Sequence, residues 1–214
     1  MIYSKRLPKL DLPESLHGEI LQVINDQSLI FTSTSFQYDK TVGTTWFESV
    51  LAHIGFGKHG RLAMHILPDS VRDKIIKHYK PLIDRVGQPY KIRVKSTMNS
   101  RFVFPHSDKF RFGGNVPTGD SCSISIGIKT NGETTCFYEW TRGFQYTIWN
   151  YLRLRRTEQF NLAPRQAYMY NNNALHAVYG CSSKLQRHIL AISWQTVDIE
   201  DLNKAVMDVY GEQL

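Results

Sequence analysis

His106 and Asp108 stand two positions apart in the run Phe104-Pro105-His106-Ser107-Asp108. In an extended chain, residues at i and i+2 face the same side, so one imidazole nitrogen and one carboxylate oxygen can reach a single metal ion. A second histidine follows in Asn173-Ala174-Leu175-His176-Ala177-Val178. Arg187 then opens the apolar run His188-Ile189-Leu190-Ala191-Ile192-Ser193-Trp194. Two imidazoles and one carboxylate leave about three positions open on an octahedral ion, the open face that a non-heme Fe(II) ion needs to take up a cosubstrate and O2 together. A structural zinc site closes with four protein ligands instead, and no fourth ligand stands near either histidine at a usual zinc spacing. Arginine suits the recognition of a carboxylate, because its planar fork makes two parallel charge-assisted hydrogen bonds and keeps its charge. Lys184 is the competing cation nearby.

Each of these residues also has an ordinary reading. His-x-Asp tripeptides arise freely in surface loops, and Arg187 could serve a simple ion pair. The ordered set inside one β-rich region carries more weight than any member. His53, His59 and His65 are six apart, which puts them on no common helical face and on no neighbouring strand positions, so they read as loop or core residues. His188 points to the opposite side of its strand from Arg187. Trp140, Trp149, Tyr151 and Tyr168 form a candidate aromatic wall for a substrate, although aromatic residues more often fill a core.

The elements that must position these groups change character along the chain. Leu12, Leu16, Ile20 and Val23 recur at helical spacing and predict an amphipathic helix over 13–26, with Asp11 as its cap. Leu29 to Phe36 reads as a strand. A second helix is expected from Ser70 to Tyr79, capped by Asp69 and ended by Pro81. From residue 90 the chain turns to short β-rich runs: Lys91 to Ser96, Ser121 to Lys129, Thr134 to Glu139, Ala167 to Asn171 and His188 to Trp194. Asn131-Gly132 between two of them predicts a tight antiparallel hairpin with positive φ at both central residues. Residues 144–160 match neither period. A final helix is expected after Asp198, with Leu202, Val206 and Val209 on the face that packs on the domain or on a second subunit.

The fold class that follows is mainly β with flanking helices (α+β), in a single domain over 1–214: N-terminal support over 1–89, a β core over 90–196 and a C-terminal helix over 197–214. The 214 residues are 42% apolar and 12% aromatic, enough for a substantial core. Three cysteines, Cys122, Cys136 and Cys181, without CxxC spacing point to free thiols. No apolar run has membrane-spanning length and no secretory pattern opens the chain, so a soluble, cytoplasmic protein without a membrane partner is expected. The net charge of +7 favours anionic partners in general, and nucleic acid is among them. No arginine cluster interleaved with aromatics marks a nucleic-acid groove.

The ordered His106, Asp108, His176 and Arg187, the last eleven positions after the distal histidine, resemble the H-x-D…H…R pattern of the Fe(II)/2-oxoglutarate-dependent dioxygenases. Both prolyl-hydroxylase-like and aspartyl/asparaginyl-hydroxylase-like members are similar over roughly residues 90–196. The resemblance implies a double-stranded β-helix (jelly-roll) core, Fe(II) held by His106, Asp108 and His176, and 2-oxoglutarate and O2 as cosubstrates. It gives Arg187 the far carboxylate of oxoglutarate, and it implies hydroxylation of a protein side chain, an amino acid or another small molecule. Asp108 departs from the asparaginyl-hydroxylase-like subgroup, whose typical members lack the metal carboxylate. Ile189 departs from the hydroxyl residue that many members place two positions after the arginine. Ser96 is the candidate to replace that hydroxyl, with Ser123 as the fallback. The alternatives are a nucleobase-modifying oxygenase and a cupin-like jelly roll that binds a metal or ligand without turnover.

Overall fold

The β-branched and aromatic runs fold into eleven strands among the described residues, divided between two antiparallel sheets. The computed structural model describes residues 1–26, 30–32, 61–98, 102–106, 120–140, 154–180 and 187–211. The larger sheet contains β1 (Ser4–Arg6), β2 (Ile30–Thr32), β3 (Arg61–His65), β4 (Lys91–Met98), β6 (Cys122–Lys129), β9 (Ala167–Asn171) and β11 (Arg187–Trp194). Their spatial order is β1-β9-β6-β11-β4-β3-β2. The smaller sheet contains β5 (Phe102–His106), β7 (Thr134–Trp140), β8 (Leu154–Asn161) and β10 (Leu175–Tyr179), ordered β5-β10-β7-β8. From β4 onward the chain alternates between the sheets at every step except β7 to β8, which gives a jelly roll.

Among the described residues, four helices cover the outer face of the larger sheet: α1 (Glu14–Asn25), α2 (Asp69–His78), α3 (Lys80–Val86) and α4 (Ile199–Tyr210). Alternate residues Ile124, Ile126 and Ile128 on β6, Leu190 and Ile192 on β11 and Val94 on β4 point to that face. There they meet Leu16 and Ile20 of α1, Ile75 of α2 and Leu202 of α4 in one buried cluster. Each fully buried aliphatic side chain contributes about 1.5–3 kcal/mol relative to exposure. The opposite face of the same strands is turned toward the smaller sheet.

Several local expectations are corrected. The Asn131-Gly132 turn does not close a hairpin, because β6 pairs with β9 and β11 whereas β7 pairs with β8 and β10. Only Gly132 has positive φ there, at 83°. The segment therefore carries the chain from one sheet to the other, and Glu133 secures it by accepting the backbone N–H of Asn131 at 2.9 Å. From β4 onward, the consecutive strands that do pair are β7 and β8, and β8 overlaps the end of the stretch that matched neither period. Asp11 does not cap α1, whose first residue follows Pro13. It binds Arg6 at 2.5 Å and the N–H of Ala167 at 2.9 Å, tying β1 to β9. Asp69 lies in the first turn of α2 without capping it, and Pro81 begins α3 rather than ending a helix, consistent with its tolerance in a first turn. The tail helix packs on this chain, where Arg85 of α3 pairs with Asp208 of α4 at 2.7 Å. Residue 29 and residues 33–36 of the strand expected after α1 lie outside the described residues. No described helix is long and apolar enough to cross a membrane.

Gly127 shows how tightly the β8–β9 connection is seated. A Cβ at this position would stand 2.3 Å from the carbonyl oxygen of Ala163, and the same segment is bonded through Arg165 N–H to Gly127 O at 2.7 Å and Gly127 N–H to Gln166 O at 3.1 Å. Gly127→Ala is expected to destabilise the fold by about 1–3 kcal/mol, as overpacking does. An unchanged urea midpoint would show that the connection yields instead.

Candidate active site

His176 lies at the start of β10 and is 4% exposed. Its Nδ1 stands 2.9 Å from the carbonyl oxygen of Ala174. A carbonyl can only accept, so Nδ1 carries the proton and the lone pair of the neutral ring sits on Nε2. A backbone acceptor orients metal-binding histidines in this way. Tyr170 meets the ring edge-to-face at a centroid distance of 4.9 Å, and Phe137 lies at 6.0 Å. Three elements, β7, β9 and β10, thus hold one imidazole inside the space between the sheets.

The backbone of His106, the last residue of β5, stands directly opposite that of His176 in the antiparallel pair. The ladder shifts register just beyond, since Val178 faces Val103, so β5 carries an extra residue between Val103 and His106. Pro105 falls in that interval, where the lack of an N–H costs no ladder bond. The structure therefore brings the two histidine positions into register from strands far apart in sequence. Among the described residues there is no cluster of three metal-ligating side chains, and Asp108 lies outside them.

Opposite this sheet, the inner face of the larger one carries serine hydroxyls and cations among small and apolar residues. Register across β6, β11 and β4 aligns Ser123 with Ser193 and Lys91, then Ser125 with Ala191 and Arg93, then Gly127 with Ile189 and Lys95. Arg187 belongs to the same face, since β11 and β4 pair regularly from Arg187 to Ser193 while Leu190 and Ile192 enter the helical core. Its side chain is buried, at 9% exposure for the residue, and its Nε has no hydrogen-bond partner among the described residues. None of the ion pairs among the described residues uses it. By contrast Arg93 donates to Asp120 at 2.9 Å. Ser123 is buried on this face, 3.4 Å from Oδ1 of Asn172.

Ser96 is not on the face of Arg187. Thr97 is the residue opposite Arg187, and Ser96 is opposite His188, so strand alternation turns Ser96 toward the helices. Its hydroxyl is engaged there by Nε2 of His65 at 2.6 Å and by Nδ1 of His188. His65 is thus a buried core residue on β3, while His53 and His59 lie outside the described residues. Of the aromatic candidates, Tyr168 stacks on Phe160 at 4.2 Å on the inner side. Trp149 and Tyr151 lie outside the described residues.

Thr135 is a hydroxyl that sequence reading passed over. It precedes Phe137 by two positions, and Phe137 packs against Tyr170 and His176, so both residues face the space between the sheets. Its Oγ1 is buried and has no partner among the described residues. Lys129 pairs with His188, Thr134 pairs with Tyr179, and residues 130–133 join them. The starts of β7 and β11 therefore share one end of the sandwich, and Thr135 and Arg187 approach it from facing sheets. The alternation of Thr134 to Tyr138 was visible in the sequence, but which parity faced inward depended on the sheet crossing.

No family model matches the sequence, and no curated protein matches it. Solved structures do match in fold. One is the non-heme alpha-ketoglutarate-dependent carbocyclase SnoK from nogalamycin biosynthesis, with a TM-score of 0.51 and 10% identity over 89% of this chain and 80% of that one. Another is the epimerase SnoN in complex with Fe3+, alpha-ketoglutarate and nogalamycin RO, with a TM-score of 0.50 and 9% identity over 90% of this chain and 78% of that one. At such identities the similarity establishes the fold: the chain folds as the same kind of jelly roll as these two enzymes.

Proposed function

We propose that this protein is an Fe(II)- and 2-oxoglutarate-dependent oxygenase in which His106, Asp108 and His176 ligate the metal and Arg187 receives the far carboxylate of oxoglutarate. The observation that carries the reading is Arg187. Among the described residues no carboxylate pairs with the buried Arg187 and its Nε has no partner, an arrangement that is costly and that a ligand anion would compensate. Its place supports a dicarboxylate that reaches from β11 toward the metal position between β5 and β10. Thr135 adds an O–H donor from the facing sheet, a better-placed hydroxyl than Ser96.

Bound iron would supply the oxidising chemistry, coupling O2 to oxidative decarboxylation of oxoglutarate and hydroxylation of a substrate C–H bond. The residues of this chain hold and orient. The Ala174 carbonyl fixes the His176 tautomer, Tyr170 and Phe137 fix its ring plane, and Arg187 sets the direction of the cosubstrate through its fork. The substrate is a protein side chain, an amino acid or another small molecule with an accessible C–H bond.

The direct test is to incubate the protein with Fe(II), oxoglutarate and O2 and to follow succinate. Succinate should form as oxoglutarate is lost, and His106→Ala should abolish both. Anaerobic Fe(II) protein should develop a charge-transfer band on addition of oxoglutarate. Neither band nor succinate, with His106→Ala indistinguishable from the parent, would leave a jelly roll without this chemistry.

A further inference from the structure

Directly behind Arg187 lies a chain of buried polar groups that the proposed chemistry does not use. His65 on β3, Ser96 on β4 and His188 on β11 are 5%, 1% and 2% exposed. Ser96 Oγ shares one hydrogen bond with Nε2 of His65 at 2.6 Å and another with Nδ1 of His188. The two rings meet edge-to-face at 5.6 Å. Three adjacent strands are thus joined by side chains at the residue next to Arg187, on the opposite face of the sheet.

The protonation of this chain follows from donor and acceptor counting. Nδ1 of His65 is buried and has no partner among the described residues. That nitrogen is better left as a bare lone pair than as an N–H without an acceptor. His65 then donates from Nε2 to Ser96, and Ser96 donates to Nδ1 of His188. A proton taken up at Nδ1 of His188 would meet the hydroxyl donor head on. One taken up at Nδ1 of His65 would find no acceptor. The arrangement is complete with two neutral rings.

The surroundings act in the same sense. Burial, then the neighbouring His65, then Lys129 at the end of β6 push the His188 imidazole down to about 4, and burial lowers His65 as well. From the helical layer, His17 of α1 is engaged by the Ile128 carbonyl at 2.8 Å. A ring released to water titrates near 6.5. The joined state is therefore fully favoured above about pH 6.5 and loses its advantage as the pH falls toward 4.

We propose that the His65–Ser96–His188 chain positions Arg187 by tying β3, β4 and the start of β11 together, and that it does so only while both rings are neutral, so that acid weakens the hold on an oxoglutarate-type dicarboxylate. The identity of the dicarboxylate rests on the oxygenase reading, whereas the joining of the strands does not.

The test compares the parent with His188→Asn, whose side-chain amide keeps a hydrogen-bonding group at the Nδ1 position and cannot titrate. The Kd of 2-oxoglutarate for the Mn(II)-loaded proteins is measured by calorimetry at pH 7.5 and 5.5. The metal ligands are common to both proteins, so their titration cancels in the comparison. The parent Kd should rise more than that of the variant, by up to about tenfold, the full factor for a ring that titrates near 6.5 when released and near 4 when held. In parallel, urea unfolding of the metal-free proteins should show stability falling below pH 6.5 more steeply for the parent. Parallel Kd profiles overturn the positioning role, and parallel unfolding profiles overturn the joining itself. If neither protein binds oxoglutarate at pH 7.5, the oxygenase reading fails, and the unfolding profiles still decide whether the chain is acid-sensitive. Should His188→Asn not fold, His65→Gln, which keeps a group at the Nε2 position, gives the same comparison.

Discussion

Replacing Arg187 with Met should raise the stability of the ligand-free protein while destroying its affinity for oxoglutarate. Arg187 is buried, its Nε has no partner and no carboxylate pairs with it among the described residues, so part of its desolvation stays uncompensated until an anion arrives. Methionine is of similar length and fully apolar, and removing such a charge is expected to stabilise the free protein by about 1–2 kcal/mol. For a domain of this size that is roughly 2–4 °C per kcal/mol in the unfolding midpoint. Losing one partner of a buried charge pair costs about 3 kcal/mol in binding, roughly 150-fold in Kd. Differential scanning calorimetry and titration with oxoglutarate read the two effects separately. Arg187→Lys should fall between, because the charge remains while the two-pronged geometry is lost. An Arg187→Met protein that is less stable and binds oxoglutarate as before would show that this arginine is structural.

Metal binding should collapse in His176→Gln. The ring is seated against Tyr170 and Phe137 and oriented by the Ala174 carbonyl, and glutamine keeps much of its volume without a comparable nitrogen ligand. Removing an outer-shell partner of a metal site typically costs about 10–100-fold, so loss of a ligand itself should exceed about 100-fold in Fe(II) affinity and in succinate formation. Metal analysis after gel filtration reads the first and a coupled succinate assay the second. Because β10 is fixed by β5 on one side and β7 on the other, the fold should survive, and circular dichroism should overlay that of the parent. Retained iron at parental stoichiometry would remove His176 from the metal site.

Much of the β core was legible in the residues. Val94, Ile124, Ile126 and Ile192 alternate with polar or small neighbours because one side of their strands is covered by helices. That alternation marks both the strand and its buried face. The helices over 14–25 and 199–210 were equally plain from their periodic apolar stripes, and the second starts directly after Asp198 as expected. At α1 the chain uses a proline boundary, and Asp11 is drawn instead to Arg6 and to the backbone of β9, partners distant in sequence or in space. Propensity speaks only for near neighbours.

Sequence alone determined which residue types can meet at a metal and a carboxylate: two histidines, an aspartate and an arginine in order along a β-rich chain. Tertiary structure decided which of them share a side. Asn131-Gly132 looks like a hairpin locally, yet hydrogen bonding places β6 and β7 in different sheets, and that crossing carries Thr135 to the end of the sandwich where Arg187 stands. Ser96 has the right chemistry for an oxoglutarate contact, but a one-residue difference in register turns it to the helical face and into the His65–His188 chain. The physical reason is the period of a strand. Successive side chains leave on opposite faces, so function depends on a parity that only the pairing of distant strands can set.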